Sequence, residues 1–307
     1  MLENFLTVGQ QVLILFVLIA IGFVLGKRNI ITEKGGKVCA DLALFLATPC
    51  VIINSFQREY SAQVLKELLL ALAIGFGLHV VGIVLAHIVY RKDDAATRIY
   101  RAATVLSNAG FMGLPLQQAV LGDKGVLYGA AYVVAMTVTQ WSYGLLIMDK
   151  SGGRVPVRKL LFNPGMIGLI AGLLLFVCRI TLPELIGAPV RHLAALNTPL
   201  PMLFAGYYLS RVDMKKALGN RANYGALAMR LILVPVVSVA LMYLCGIRGL
   251  LLVSMTIPAT APVAVGVAMF ADRYHQDAET AVNLVAISTL LSVVTMPLIV
   301  AGTQLIA

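Results

Sequence analysis

Charged residues are scarce in this sequence. Of its 307 residues 12% are charged and 60% are hydrophobic, whereas a soluble globular domain carries roughly 25% charged residues. Acidic side chains are the scarcest, with 14 Asp and Glu against 24 Lys and Arg. So few charges cannot cover a water-facing surface, and the composition therefore predicts an integral membrane protein.

Patterns typical of catalysis and metal binding are also missing. The four cysteines fall inside apolar segments and lack the close spacing of a zinc site or redox pair. No phosphate-cradling Gly-x-x-x-x-Gly-Lys and no nucleophile elbow occurs. We therefore expect no enzymatic activity, no metal and no bound cofactor, although transport coupled to H⁺ or Na⁺ stays open.

Long apolar windows recur along the whole chain, and short gaps between them hold most of the charges. A membrane-spanning helix needs about 20 mostly apolar residues. The windows predict an all-α polytopic protein with ten transmembrane helices, at 7–26, 38–56, 65–90, 99–121, 125–148, 164–180, 190–209, 224–245, 249–271 and 280–302.

The basic residues favour alternate gaps. Seventeen of the 24 Lys and Arg lie in or beside the gaps after the first, third, fifth, seventh and ninth spans, including a group formed by Lys150, Arg154, Arg158 and Lys159. Basic loops stay in the cytoplasm, so we expect both termini outside. The net charge of +10 follows from these loops, and we expect no nucleic-acid partner.

Two motifs recur in the second half of the chain. The first match pairs Leu46-Ala47-Thr48-Pro49 with Leu196-Asn197-Thr198-Pro199, 150 positions apart, and the second pairs 107–115 with 254–262, 147 apart. Chance matches of common membrane-helix residues are the alternative. A repeat of five spans has an odd number of crossings, so the sequence predicts two inverted five-helix repeats, 1–150 and 151–307.

Two spans carry helix breakers near mid-membrane. The fourth contains Asn108, Gly110, Gly113 and Pro115, and the ninth contains Pro258, Thr260 and Pro262. A break exposes amide N–H groups at the positive end of the following half-helix, where a carboxylate binds well. We therefore predict that helices 4 and 9 are broken at similar depth and that the breaks form a site for a small organic anion. The alternative is that these prolines only kink packed helices.

Ionisable and amide side chains inside spans are functional candidates. His79 and Gln140 lie at comparable depth in the third and fifth spans. His79 is either a proton site or a neutral histidine hydrogen-bonded between helices. Arg230 lies near the start of the span 224–245, shallow enough for its side chain to extend towards the cytoplasm. Contact with substrate is the alternative.

The sequence resembles the auxin efflux carrier family of bacteria, relatives of the plant PIN carriers. The resemblance rests on 107–116, on Ala47-Thr48-Pro49 and on 258–262. It implies a scaffold of helices 1, 2, 6 and 7 and a mobile bundle of helices 3–5 and 8–10, as in elevator-type alternating access. It also implies that the broken helices 4 and 9 cross at their prolines and that a substrate carboxylate binds beside the crossing, with Thr48 included in the site and His79 and Gln140 supporting it. Members of the family look like homodimers, and we expect this one in the lipid of a bacterial inner membrane.

The sequence departs from the plant pattern by having Asn-Ala-Gly in place of Asn-Pro-Asn at the break. It also lacks a long central hydrophilic loop. A bacterial dicarboxylate or similar metabolite therefore fits better than auxin. The alternatives are a solute-binding membrane sensor and a sodium-coupled symporter of the bile-acid type.

Overall fold

The computed structural model describes residues 2–149, 162 and 164–307, and every regular element within them is a helix. The described helices are α1 (Leu2–Lys27), α2 (Glu33–Ser55), α3 (Ala62–Val89), α4 (Ala95–Val105), α5 (Ala109–Met148), α6 (Pro164–Val177), α7 (Glu184–Ala195), α8 (Pro199–Ser210), α9 (Met214–Gly219), α10 (Asn223–Leu244), α11 (Gly249–Thr260), α12 (Val265–Arg273) and α13 (Ala278–Ile306).

Helices occupy all ten intervals that hydropathy marks as spans. Six of the described helices are long and apolar enough to cross a membrane, namely α1 from Gly9 onwards, α2, α3, α5, α10 and α13. Large apolar side chains cover their outer faces; Phe45 and Val294, for example, are 63% and 61% exposed. Such faces suit contact with lipid rather than water.

Several predicted spans are interrupted. The fourth consists of α4 and the start of α5, the seventh of α7 and α8, and the ninth of α11 and α12. The interruption of the seventh, at Leu196–Thr198, was not expected from its Thr-Pro motif. The fourth and fifth spans meet inside α5, where the chain reverses at Gly122 with φ 64° and ψ −161°. Only glycine adopts these angles readily.

Prolines lie inside these helices without breaking them. A π-helical turn precedes each of three prolines, at Ala43–Ala47 before Pro49, Ala109–Gly113 before Pro115 and Met229–Leu233 before Pro235. Proline has no N–H to donate, and its ring clashes with the carbonyl one turn earlier. The widened turn removes that clash, and so each helix continues.

Glycines bring four helices into close contact. A Cβ atom on Gly22 of α1 would overlap the Leu203 carbonyl oxygen of α8, and one on Gly206 of α8 would overlap the Ile19 carbonyl oxygen. A Cβ on Gly168 of α6 would lie 2.8 Å from Cα of Pro49 in α2. Small residues at such contacts are typical of helix packing in membranes. The pairs α1–α8 and α2–α6 are therefore tightly joined.

Side-chain contacts group the connecting segments at two ends. At one end Arg211 donates to Asn29 at 3.0 Å, and Gln276 donates to the Met148 carbonyl at 2.9 Å. At the other, the N–H of Leu182 donates to Gln57 at 2.8 Å. The connecting segments that meet at the first end are among those expected to be basic. The group Lys150, Arg154, Arg158 and Lys159 and the boundary between 150 and 151 lie outside the described residues.

Ion pairs tie the start of α4 to the basic end. Arg98 pairs with Asp93 at 2.8 Å, and Arg101 donates to the Tyr90 carbonyl at 2.9 Å. The hydrogen bond from Arg98 lowers the pKa of the exposed Asp93 carboxyl group. Asp94 caps α4 by accepting from the N–H of Thr97 at 2.7 Å.

Candidate functional site

Two helix breaks cross each other in the interior. The first, Leu106–Asn108, separates α4 from α5, and the second, 261–264, separates α11 from α12. The N–H of Asn108 donates to the Pro262 carbonyl at 2.8 Å, and the N–H of Ala264 donates to the Leu106 carbonyl at 3.0 Å. The bonds form an antiparallel bridge between Ser107 and Val263. Each break thus supplies the backbone partners that the other has lost.

Further contacts fix the crossing. The hydroxyl group of the buried Ser288 in α13 accepts from the N–H of Val263 at 3.0 Å. Gln117 of α5 donates to the Ser254 carbonyl of α11 at 2.6 Å. A Cβ on Gly113 would lie only 3.3 Å from Cα of Pro258, so a side chain there would require α5 or α11 to shift slightly.

The first break lies earlier in the chain than its motif indicated, and the second break lies later. Asn108 and Pro262 lie within them, as expected, but Gly110, Gly113 and Pro115 belong to α5. Pro258 lies inside α11, and Thr260 is its last residue. The half-helices end at Val105 and Thr260 and resume at Ala109 and Val265, so the breaks are 155 and 156 positions apart. The motif match at 147 positions does not align them.

A cavity of about 550 Å³ lies beside the crossing. Gly110 and Phe111 at the start of α5 line it, and so do Val265 and Gly266 at the start of α12. In the described structure no backbone acceptor is found for the N–H groups of these four residues. The positive ends of two half-helices therefore converge on one cavity.

Three polar side chains in the cavity wall have unused hydrogen-bonding groups. Asn108 precedes α5 without capping it, and Thr137 and Gln140 come from the second part of α5. Gln140 also lies against α12, since a Cβ on Gly266 would be 2.7 Å from its Nε2. The side chains of these three residues have no hydrogen-bond partner within the described structure. They can therefore bind a polar guest.

The rest of the wall is largely apolar, and its mouth is charged. Phe111, Met136, Trp141, Met269 and Phe270 contribute apolar surface. The exposed side chains of Lys37, Asp272 and Arg273 also line the cavity, with a net charge of +1 among them. An apolar pocket with a few convergent polar groups is the usual form of a small-molecule site.

Comparison with known proteins identifies the family of this chain. A family model described as membrane transport protein matches residues 7–300. The chain belongs to this family, the auxin efflux carriers. It is therefore a multi-pass membrane transporter rather than an enzyme.

Two of the matching relatives cover most of the chain, and a third covers a smaller part of it. An uncharacterized transporter of Methanothermobacter thermautotrophicus is 23% identical over 294 residues, which is 94% of this chain and 96% of the relative. Another, from Methanocaldococcus jannaschii, is 24% identical over 300 residues, with the same coverage. Auxin efflux carrier component 1 of Arabidopsis thaliana is 30% identical over 122 residues, 38% of this chain and 20% of the plant protein.

The predicted site residues of this auxin efflux carrier family member are only partly brought together. Thr48, Asn108, Gly110 and Gln140 line the main cavity. Gly113, Pro258 and Pro262 are not among its lining residues, and their described contacts hold the crossing. Thr260 does not line the cavity either, and its hydroxyl group donates to the Ile257 carbonyl of its own helix. Pro115 instead lines a second cavity of about 230 Å³. Thr137 was missed because a single threonine in an apolar span carries no distinctive sequence signal.

A hydrogen bond separates the two cavities. The Oγ1 of Thr48, which lines the main cavity, donates to Oδ1 of Asn197, which lines the second, at 3.1 Å. Both residues are nearly fully buried. They belong to the two matching Thr-Pro motifs, which therefore meet in the interior at the wall between the cavities.

His79 is buried but does not line the main cavity. Its Nδ1 lies 2.7 Å from the Gly75 carbonyl of its own helix, and its ring centroid is 4.9 Å from that of Tyr132. Its Nε2 has no hydrogen-bond partner in the described structure. The described hydrogen bond of His79 therefore stays within one helix and does not join two helices. The hypothesis that His79 is a proton site stays a prediction.

Arg230 is the main correction to the sequence analysis. Its side chain does not extend to the membrane surface, since the residue is 0% exposed. It donates to the carbonyl oxygens of Ala261 at 3.0 Å, Thr104 at 3.2 Å and Ala259. Pro235 is the sequence signal that bears on its position, because the widened turn before this proline contains Arg230.

Proposed function

We propose that this protein is a secondary transporter that moves a small organic anion, most simply a carboxylate. The observation that carries this proposal is the convergence of two half-helix amino ends on one cavity. Free amide or hydroxyl groups of Asn108, Thr137 and Gln140 share that cavity. A carboxylate can accept from all of these donors and complements the positive helix ends.

The proposed topology has ten spans in two inverted repeats, with both termini outside. It is supported by the ten helical intervals, by the two crossed breaks and by the grouping of alternate gaps at common ends. Lys37 and Arg273 line the mouth of the main cavity, which supports a mouth at the basic end. With that end in the cytoplasm, the described conformation is inward-facing. The proposed location is the inner membrane of a bacterium, although two of the matching relatives are archaeal.

The proposed mechanism is an elevator. The glycine contacts of α1 with α8 and of α2 with α6 support a rigid scaffold. The buried Thr48–Asn197 bond lies between the main cavity and the second cavity. A crossing that slides past this wall would carry its substrate from one cavity to the other. Dimerisation through the scaffold is an expectation from family resemblance.

Counterflow in liposomes tests the proposed function. Purified protein is reconstituted with unlabelled succinate or indole-3-acetate inside, and uptake of the labelled compound is measured with and without H⁺ or Na⁺ gradients. A carrier gives saturable uptake that internal substrate accelerates. Uptake that stays linear to high concentration would indicate a channel. Binding without counterflow would instead support a sensor, and uptake that requires Na⁺ a sodium-coupled symporter.

Thermal-shift screening of mono- and dicarboxylates precedes the transport assay. Each acid is compared with its neutral amide, because the amide keeps the shape but lacks the negative charge. Acids that raise the melting temperature while their amides do not become the transport substrates. Equal shifts from acids and amides would contradict anion recognition.

A further inference from the structure

Arg230 carries a buried positive charge, and its guanidinium group donates to three backbone carbonyls and also interacts with the hydroxyl group of Tyr132. In the described part of the chain no salt bridge includes it, although the residue is fully buried. A buried ion is costly unless its charge is compensated. No carboxylate is among its described partners, so the carbonyl acceptors and the Tyr132 hydroxyl group compensate the charge.

Those acceptors belong to the ends of the two half-helices that precede the breaks. Thr104 is the penultimate residue of α4, Ala259 is the penultimate residue of α11, and Ala261 directly follows α11. The carboxyl end of a helix carries about half a negative charge. Two such ends together approximate one negative charge, which matches one guanidinium group.

The two following half-helices have the opposite polarity at the crossing. The amino ends of α5 and α12 face the main cavity and together approximate one positive charge. If no cation neutralised the nearby carboxyl ends of α4 and α11, their negative charge would oppose the positive field of these amino ends. A cation on the carboxyl ends leaves the amino ends uncompensated, and this favours an anion in the cavity.

We propose that Arg230 is a positioning residue that neutralises the carbonyl ends of both broken helices, so that the cavity retains a field selective for a carboxylate. This inference rests on the proposed anion-transport function. Arg230 does not line the cavity and acts through the helix ends rather than by contact with substrate. Its planar group reaches carbonyls of both breaks at once, which also holds the crossing together.

The test measures anion selectivity in Arg230→Gln and Arg230→Lys. For each protein the affinity for succinate is compared with that for succinamide, and that for indole-3-acetate with that for indole-3-acetamide. Arg230→Gln should lower carboxylate affinity on the order of tenfold, which corresponds to a loss of about 1.4 kcal/mol of electrostatic attraction. The affinity for the amides should change little.

Arg248→Gln is the matched control, because it removes the same charge from an exposed side chain that also donates to backbone carbonyls, those of Tyr243 and Ile247. It should leave the ratio of carboxylate to amide affinity unchanged. Arg230→Lys keeps the charge but cannot donate in three fixed directions. It should keep that ratio within about threefold while its melting temperature and maximal uptake rate fall.

The outcomes distinguish a failure of the proposed function from a failure of the inference about Arg230. If the wild-type protein does not prefer carboxylates, the proposed function fails. If it does and folded Arg230→Gln keeps that preference, the inference about Arg230 is wrong. If Arg230→Gln does not fold, Arg230→Lys decides: retained selectivity supports the inference, and a folded lysine variant that has lost selectivity overturns it.

Discussion

Replacement of Asn108 by alanine tests the centre of the candidate site. The backbone bonds that hold this residue, from its N–H to Pro262 and to its carbonyl from Met112, do not involve the side chain. The side chain forms no capping bond to α5, so the loss of about 1 kcal/mol usual for a capping residue does not apply. We expect the free energy of unfolding to change by less than about 0.5 kcal/mol.

Substrate binding should respond much more strongly. A hydrogen bond to a charged acceptor contributes about 1.5 to 3 kcal/mol, so Asn108→Ala should weaken carboxylate binding by roughly 10- to 150-fold. Asn108→Asp has nearly the same shape but places a like charge beside the substrate, and it should bind no measurable carboxylate. Affinity is measured by thermal-shift titration of the purified proteins and transport by counterflow.

Asn54→Ala supplies the control for these measurements. Asn54 lines the second cavity, on the other side of the Thr48–Asn197 bond. Its replacement should leave affinity unchanged while the main cavity is open. A well-folded Asn108→Ala protein with wild-type affinity would refute the reasoning and leave the helix amino ends as the core of the site.

Two further predictions concern glycines at helix contacts. Gly113→Val should destabilise the crossing by about 1 to 3 kcal/mol, because its Cβ would lie 3.3 Å from Cα of Pro258 and its methyl groups closer still. Gly22→Val should lower the melting temperature sharply, since its Cβ would overlap the Leu203 carbonyl oxygen. Gly9→Val is the control and should not lower it, because there is open space around a Cβ at Gly9. Melting curves in detergent check both; equal melting temperatures for the Gly22 and Gly9 variants would contradict the packing argument.

Hydropathy located the helices because a bilayer leaves little freedom. Apolar runs of about 20 residues must be helical where they contact lipid, and all ten predicted intervals contain helix. The prolines and glycines indicated two of the three interrupted spans for the related reason that a missing backbone bond needs a partner. These inferences depend on local sequence, and local sequence was sufficient for them.

The positions of the breaks depend on more than proline. Pro115 and Pro258 both lie within helices, and a widened turn accommodates the first of them. The chain instead breaks at Leu106–Asn108, where its backbone bonds to a segment about 155 residues away. No local pattern specifies such a pairing. The motif match thus lies in the two spans that contain the breaks, but its offset of 147 positions differs from that of the breaks.

Arg230 shows the same limit for electrostatics. Position within a span gives depth along a helix axis, and by that measure its long side chain could have reached the membrane surface. Direction around the axis depends on the turn that Pro235 widens, and compensation depends on carbonyls 126 and 31 residues away. The charge is stable in the interior because two helix ends meet there. A buried arginine without a carboxylate partner is thus a consequence of the crossing, and it could be interpreted only once both breaks were placed.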